Sequence, residues 1–183
     1  TTTGVPLEPA GTMTYPELFE IYTEQITALA EAGADLLVVE TMLGIDEMTV
    51  ALEAAQSVCA LPVLCSMTVQ ADGSGYFGGT CVEAVETLQE LGAAAVGINC
   101  STGPDQLESL VRNMKQAAKV PLLVKPNAGM PEISPEGEAI YSMGPEAFAQ
   151  HMRTLIDAGA ALVGGCCGTD PRYISALRDV LPR

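Results

Sequence analysis

Apolar positions along this chain alternate between two periods. Leu18, Tyr22, Ile26 and Leu29 recur at the three-to-four-residue spacing of one buried helical face. Leu36-Leu37-Val38-Val39 and Ala95-Val96-Gly97-Ile98 are instead short continuous runs, as expected of strands covered on both sides. The junctions between the two periods repeat: Glu31-Ala32-Gly33-Ala34 precedes the first run, Glu90-Leu91-Gly92-Ala93 the second, and Asp157-Ala158-Gly159-Ala160 precedes Leu162-Val163. In each, a glycine able to end a helix in the left-handed conformation stands just ahead of a strand. Two further strands are entered by proline, Leu61-Pro62-Val63-Leu64-Cys65 and Val120-Pro121-Leu122-Leu123-Val124. The pattern predicts five strands, near residues 35–40, 62–69, 94–99, 121–126 and 161–166, with helices between them.

Helix starts agree with this division. Thr14 with Glu17, and Thr80 with Glu83, have capping-box spacing, and Asp46 is placed to cap the helix after the first strand. Gly103-Pro104, Gly144-Pro145 and Asp170-Pro171 each put proline in a first helical turn. Strands alternating with helices imply an α/β fold with a parallel sheet and right-handed crossovers. Such sheets bind ligands at the carboxyl ends of their strands, where Glu40, Cys100, Asn127 and the pair Cys166-Cys167 fall. Five strands do not close an eight-stranded barrel, so the pattern alone leaves an open sheet or a barrel lacking three strands.

Composition narrows the class. A chain of 183 residues, 48% hydrophobic and only 4% aromatic, suits one domain with close helix–sheet packing. The formal net charge of -15 disfavours nucleic acid and anionic membrane as partners. There is no apolar run of about 20 residues for a membrane span and no signal-peptide pattern. Six cysteines, two of them adjacent, read as reduced thiols and a cytoplasmic location.

Three of those cysteines carry the chemistry. Cys100 closes Gly97-Ile98-Asn99-Cys100, and Cys166 and Cys167 lie in Gly164-Gly165-Cys166-Cys167-Gly168. Three thiolates at two strand ends favour zinc, and three protein ligands leave the fourth position open, as in catalytic sites. The sole histidine, His151, falls in a helix away from them. Ligand charge then selects the reaction, because three thiolates bring the zinc site to a formal charge of about minus one. Such a site is a poor activator of water but deprotonates a coordinated thiol. Alkyl transfer to sulfur is the chemistry that follows.

Gly-Ile-Asn-Cys at 97–100, Pro-Asn-Ala-Gly at 126–129 and Gly-Gly-Cys-Cys-Gly-Thr at 164–169 resemble the motifs of the homocysteine S-methyltransferase domain family. Val39-Glu40-Thr41 and Pro62-Val63-Leu64-Cys65-Ser66-Met67-Thr68 fit the same order. The family includes the homocysteine-binding module of cobalamin-dependent methionine synthase. The resemblance implies a (β/α)8 barrel, of which residues 1–183 form a single partial domain with about five of the eight strands. It implies zinc on Cys100, Cys166 and Cys167 with homocysteine sulfur as fourth ligand, and Glu40 and Asn127 at the amino-acid end of the substrate. The methyl donor it implies is methylcobalamin on another domain; a betaine- or S-methylmethionine-type donor is the alternative. Nothing in the chain matches the family's first strands or its Gly-rich first loop, so Thr3-Gly4 is expected to enter near the end of the third strand.

Other features read as structural. Cys59, Cys65 and Cys81 have no partners and suit core or boundary positions. The loop from Ala71 to Thr80 lacks the lysine of a P-loop and reads as a mobile rim segment leading to the Thr80 cap. His151 suits a helix surface, and Lys125 has no role on this reading. Two competing functions remain: a non-catalytic zinc-binding fragment completed by a partner chain, and a redox protein using the vicinal Cys166-Cys167 pair.

Overall fold

A computed structural model describes residues 1–181. Its main sheet has five parallel strands in simple chain order: β1 (Leu37–Met42), β2 (Val63–Met67), β3 (Ala95–Cys100), β4 (Leu122–Pro126) and β7 (Ala160–Val163). Helices connect them: α1 (Tyr15–Glu31), α2 (Ile45–Val58), α3 (Cys81–Glu90), α4 (Glu108–Ala117), α5 (Pro145–Ala158) and α6 (Pro171–Val180). Because the strand order never reverses, right-handed crossovers put every connecting helix on the same face. Consecutive helices accordingly pack on one another from α1 to α6. This is the winding of a barrel rather than of a doubly wound sheet.

One register row shows how the sequence drives this packing. Val39, Cys65, Val96, Leu122 and Ala160 stand side by side across all five strands, and each is buried under the helices. The opposite face is concave. Strands two apart bring Cα atoms within 8 Å, whereas a flat sheet would hold them about 9.6 Å apart. On that face Leu36, Val38 and Leu162 remain 46%, 41% and 38% exposed, so the five-stranded arc leaves its inner surface open.

Both capping boxes form as the spacing predicts: Thr14 and Thr80 accept from the backbone of Glu17 and Glu83, which reach back in turn. Gly33, Gly92 and Gly159 take φ of 88°, 91° and 123° at the helix-to-strand junctions, a region that disfavours any residue with a Cβ. Asp170 caps α6.

Several expectations need correction. Asp46 does not cap α2; Gly44 is the N-cap and Asp46 lies inside the first turn, where its charge still suits the helix dipole. Leu29 is 47% exposed: the buried face of α1 ends at Ile26. Gly103-Pro104 opens a short 3-10 turn (Pro104–Gln106), and α4 begins only at Glu108. The last strand of the sheet ends at Val163, leaving Cys166 and Cys167 in the loop beyond it. A two-stranded antiparallel hairpin, β5 (Pro131–Ile133) and β6 (Ala139–Tyr141), stands over the end of β4. The segment 71–80 is tied down by bridges pairing Val69 with Gly75 and Ser74 with Thr80.

Glu47 in the first turn of α2 is buried and holds the amino-terminal segment. Its carboxylate accepts from Thr2 Oγ1 at 2.5 Å, Thr3 N at 2.7 Å, Thr3 Oγ1 at 2.8 Å and the Tyr22 hydroxyl at 2.9 Å. Glu47→Ala strips acceptors from these donors and is expected to cost about 2–4 kcal/mol. A urea titration would read this as a lower midpoint with an unchanged slope. A wild-type midpoint would refute the role.

Candidate metal and substrate site

The three cysteines predicted from sequence converge. Cys100 Sγ lies 2.7 Å from Cys166 Sγ and 3.7 Å from Cys167 Sγ, and all three sulfurs fall within 4.8 Å of one another. Among the described residues no other group of three or more His, Cys, Asp or Glu side chains comes together in this way. Zinc–thiolate bonds of about 2.3 Å in tetrahedral array set their sulfurs near 3.8 Å apart, so the soft donor set and the Cys100–Cys167 separation fit that ion, while Cys100 and Cys166 stand closer than it would hold them. Among the described residues neither imidazole nor carboxylate completes the set.

The backbone is bent to bring them there. Thr41, Cys100 and Ser101 have φ of 60°, 54° and 63°, left-handed values that disfavour non-glycine residues. Each costs about 1–3 kcal/mol, and such strain concentrates at functional sites. The loop after β7 is pinned to the end of β4: Cys166 N donates to Pro126 O at 2.8 Å, and Ala128 N donates to Cys167 O at 2.9 Å. The loop closes on itself where Thr169 donates to Cys166 O through its hydroxyl at 2.7 Å. Gly168 is required twice over, by its φ of 79° and by the Tyr141 ring, which would lie 2.3 Å from any Cβ. The hairpin thus packs Tyr141 against the cysteine loop.

Electrostatics differ among the thiols. Burial pushes Cys100 well above the usual cysteine range, and the neighbouring thiols add to the shift. Burial also opposes ionisation of Cys166, but hydrogen bonds from Cys100, the Asn99 amide and the Cys167 backbone outweigh it and hold that thiol low. Cys65 and Cys81 sit in the core, pushed by burial up to about 12 and about 11. They lie apart from the cluster, as expected of packing residues.

Asn99 was not singled out by sequence, yet it organises the site. Only 1% exposed, it accepts at Oδ1 from Thr41 N and Ser66 Oγ, both at 2.8 Å. Its Nδ2 donates to Thr41 Oγ1 at 2.9 Å and to Cys166 Sγ at 3.7 Å. The ends of β1, β2 and β3 and the cysteine loop meet on this one amide. The available signal was a polar residue inside an otherwise buried apolar strand.

The two residues expected at the substrate's amino-acid end lie at or just past the carboxyl ends of their strands. Glu40, near the end of β1, forms an ion pair through Oε2 with Lys125 Nζ of β4. Asn127 is buried, and its Oδ1 accepts from Cys167 N at 3.1 Å, so it also holds the cysteine loop. Its Nδ2 has no protein partner among the described residues. Lys125, Thr41, Ser66 and Tyr141 are site residues that sequence reading left without roles.

The homocysteine S-methyltransferase family profile matches residues 2–181. Among curated proteins, methionine synthase of Mycobacterium leprae is 30% identical over 186 residues, covering 98% of this chain but 15% of that protein. Methionine synthase of Mycobacterium tuberculosis is 31% identical over 177 residues, covering 93% and 15%. The chain therefore spans under one-sixth of the length of these relatives. Among solved structures, the apo form of the homocysteine methyltransferase MmuM from Escherichia coli superposes with a TM-score of 0.76 at 24% identity, over 97% of this chain and 60% of that one. The metallated form of the same enzyme gives 0.70 at 25% identity, over 88% and 51%. With a barrel-type winding, three thiols gathered at the carboxyl end of the sheet and a profile match along almost its whole length, this chain belongs to the homocysteine S-methyltransferase family.

Proposed function

We propose that this chain is the catalytic barrel portion of a zinc-dependent homocysteine methyltransferase that yields methionine, with methylcobalamin on another domain as the methyl donor. The observation that carries it is the convergence of Cys100, Cys166 and Cys167, a trio of soft donors with no fourth protein ligand among the described residues. Zinc held there would supply a soft Lewis acid that keeps a bound thiol ionised at neutral pH.

The chain's own residues prepare that step. The three cysteines contribute negative charge that makes the site electron-rich, and Asn99 orients Cys166 while tying three strand ends together. Asn127 fixes the backbone of Cys167. Glu40 offers a carboxylate to the substrate ammonium, and Asn127 Nδ2 offers a donor beside it. The hairpin packs Tyr141 against Gly168 of the cysteine loop and so braces that loop. Further strands, residing outside this five-stranded arc, would cover the open face bearing Leu36, Val38 and Leu162 and complete the barrel. No described helix is long and apolar enough to cross a membrane; a reducing, cytoplasmic setting suits the free thiols.

The resemblance to curated methionine synthases favours methylcobalamin. A betaine- or S-methylmethionine-type donor, the alternative that membership of the family leaves open, is the second reading. The test is methionine formation from L-homocysteine by the zinc-loaded protein, supplied in turn with methylcobalamin and with S-methylmethionine. Turnover with methylcobalamin alone is expected; turnover with the sulfonium alone would transfer the assignment to the second donor. Zinc uptake without turnover or homocysteine binding would reduce the chain to a metal-binding scaffold.

A further inference from the structure

The hairpin of β5 and β6 is fixed at its base and bare at its tip. At the base, the Tyr173 hydroxyl of α6 donates to Met143 O at 2.7 Å, and the Tyr141 ring packs on Gly168. At the tip, Ser134 closes the turn: its N donates to Glu138 O at 2.8 Å, and its Oγ accepts from Glu136 N at 3.2 Å and Glu138 N at 3.1 Å. Among the described residues the two strands pair only with each other. Directly opposed residues of an antiparallel pair share a face, and faces alternate along each strand. Pro131, Tyr141, Ile133 and Ala139 therefore line one face, Glu132 and Ile140 the other. Tyr141 turns the first face to the cysteine loop, and Ile133 continues that face about 7 Å further out. There Ile133 is 70% exposed, and Ile140 on the opposite face is 52% exposed.

Completion of the barrel does not account for these side chains. Other exposed apolar residues belong to the two ends of the winding, Ile21, Leu36 and Val38 to the run from α1 into β1, Leu162 and Ile174 to β7 and α6. The hairpin belongs to neither end. It follows β4, an inner strand, and stands on the carboxyl side of the sheet with the cysteines. Its charge is one-sided: between Asn127 and Gly144 stand Glu132, Glu136 and Glu138 and no lysine or arginine. An exposed apolar face fringed with carboxylates suits an apolar surface that carries positive charge and hydrogen-bond donors. A methylated corrin has that character, a broad ring around a cationic cobalt–methyl core with carboxamide arms at its edge.

We propose that the Ile133–Ala139 face of the hairpin is the landing surface for the corrin ring of the methylcobalamin donor, with the carboxylates of Glu132, Glu136 and Glu138 serving its amide arms. This rests on the proposed function and adds the surface at which its donor docks. The clamped base gives the tip a fixed position relative to the cysteine loop, so a ring seated on Ile133 is oriented as well as held. Burying the isoleucine supplies affinity, and the acidic fringe disfavours anionic ligands at the same place.

The experiment follows the isoleucine methyl resonances of the labelled, zinc-loaded full chain as free methylcobalamin is added in the dark, without homocysteine so that no methyl is transferred. Ile133 should move saturably and furthest, Ile140 less, while Ile21 and Ile174, exposed at the two ends of the winding, stay in place. Ile133→Asp should raise the dissociation constant read from Ile140 by about tenfold or more, and Ile133→Leu should keep it within about threefold of wild type. Wild-type affinity in Ile133→Asp would overturn the inference. So would shifts at Ile21 or Ile174 in place of the hairpin, which would put the corrin on the open ends, or no shift at any isoleucine. Shifts of Ile133 that depend on protein concentration before methylcobalamin is added would show a second copy of the chain on this face and overturn it too. Should Ile133→Asp fail to fold, the wild-type pattern of shifts decides. Methionine formation from methylcobalamin with an unmoved Ile133 would remove the inference alone. Turnover with S-methylmethionine alone would remove the donor assignment and the inference with it.

Discussion

Cys100→Ser should weaken zinc binding by about a thousandfold or more, on the scale of 4 kcal/mol lost from a three-thiolate site. Cys100 is the hinge of the cluster, the thiol whose sulfur lies within 4 Å of both others. A serine hydroxyl stays protonated at neutral pH and is a hard donor, so it replaces neither the charge nor the softness of the thiolate. The fold should survive, because Cys100 is only half-buried at the very end of β3 and serine tolerates the local backbone about as well as cysteine. Chelator competition on the reduced protein reads the zinc affinity, and thermal unfolding of the metal-free form reads the fold. Cys65→Ser is the contrasting control. Cys65 is fully buried in the row under the helices, so its replacement should lower the unfolding temperature while zinc binding stays at wild-type strength. Wild-type zinc affinity in Cys100→Ser would show that the three thiols do not act as one site and would remove the basis of the proposed function. Loss of zinc with an intact fold, together with no thiol–disulfide activity, would also exclude a redox use of the Cys166-Cys167 pair, which needs no Cys100.

What could be read from the sequence was local. The capping boxes at Thr14 and Thr80 and the junction glycines Gly33, Gly92 and Gly159 depend on residues within four positions of one another, and all form as expected. The convergence of Cys100, Cys166 and Cys167 was legible because thiols at strand ends are unusual and a parallel winding brings strand ends together. The hairpin of β5 and β6 was not legible. Its strands have three residues each, and its turn through Ser134 and Gly137 has the composition of any loop. Asp46 misled because helix α2 starts two residues earlier than its carboxylate suggests, with Gly44 in the extended cap conformation. Lys125 escaped because its partner Glu40 is 85 residues away and its significance depends on the curvature of the sheet. Asn99 escaped for the same reason: its four bonds reach residues 33 to 67 positions distant.

Asn99→Ala is therefore expected to fail in two separable ways. Removing the amide leaves Thr41 N–H and the Ser66 hydroxyl without their acceptor in a buried setting, for a cost of about 2–5 kcal/mol in folding stability. It also removes the donor on Cys166, and loss of a partner that orients a metal ligand weakens metal binding by about 10- to 100-fold. Ser66→Ala separates the two effects. It deletes one donor to Asn99 Oδ1 but leaves Nδ2 aimed at Cys166, so it should lower stability by about 1 kcal/mol while changing zinc affinity less than about threefold. Cobalt substitution supplies a further readout, since the thiolate-to-cobalt charge-transfer band follows the hydrogen bonding at sulfur. The band should shift in Asn99→Ala and stay in place in Ser66→Ala. If both variants lose stability and neither moves zinc affinity nor the band, Asn99 is only a tie between strands, and the orientation of Cys166 must come from the loop bonds of Pro126, Asn127 and Thr169 instead.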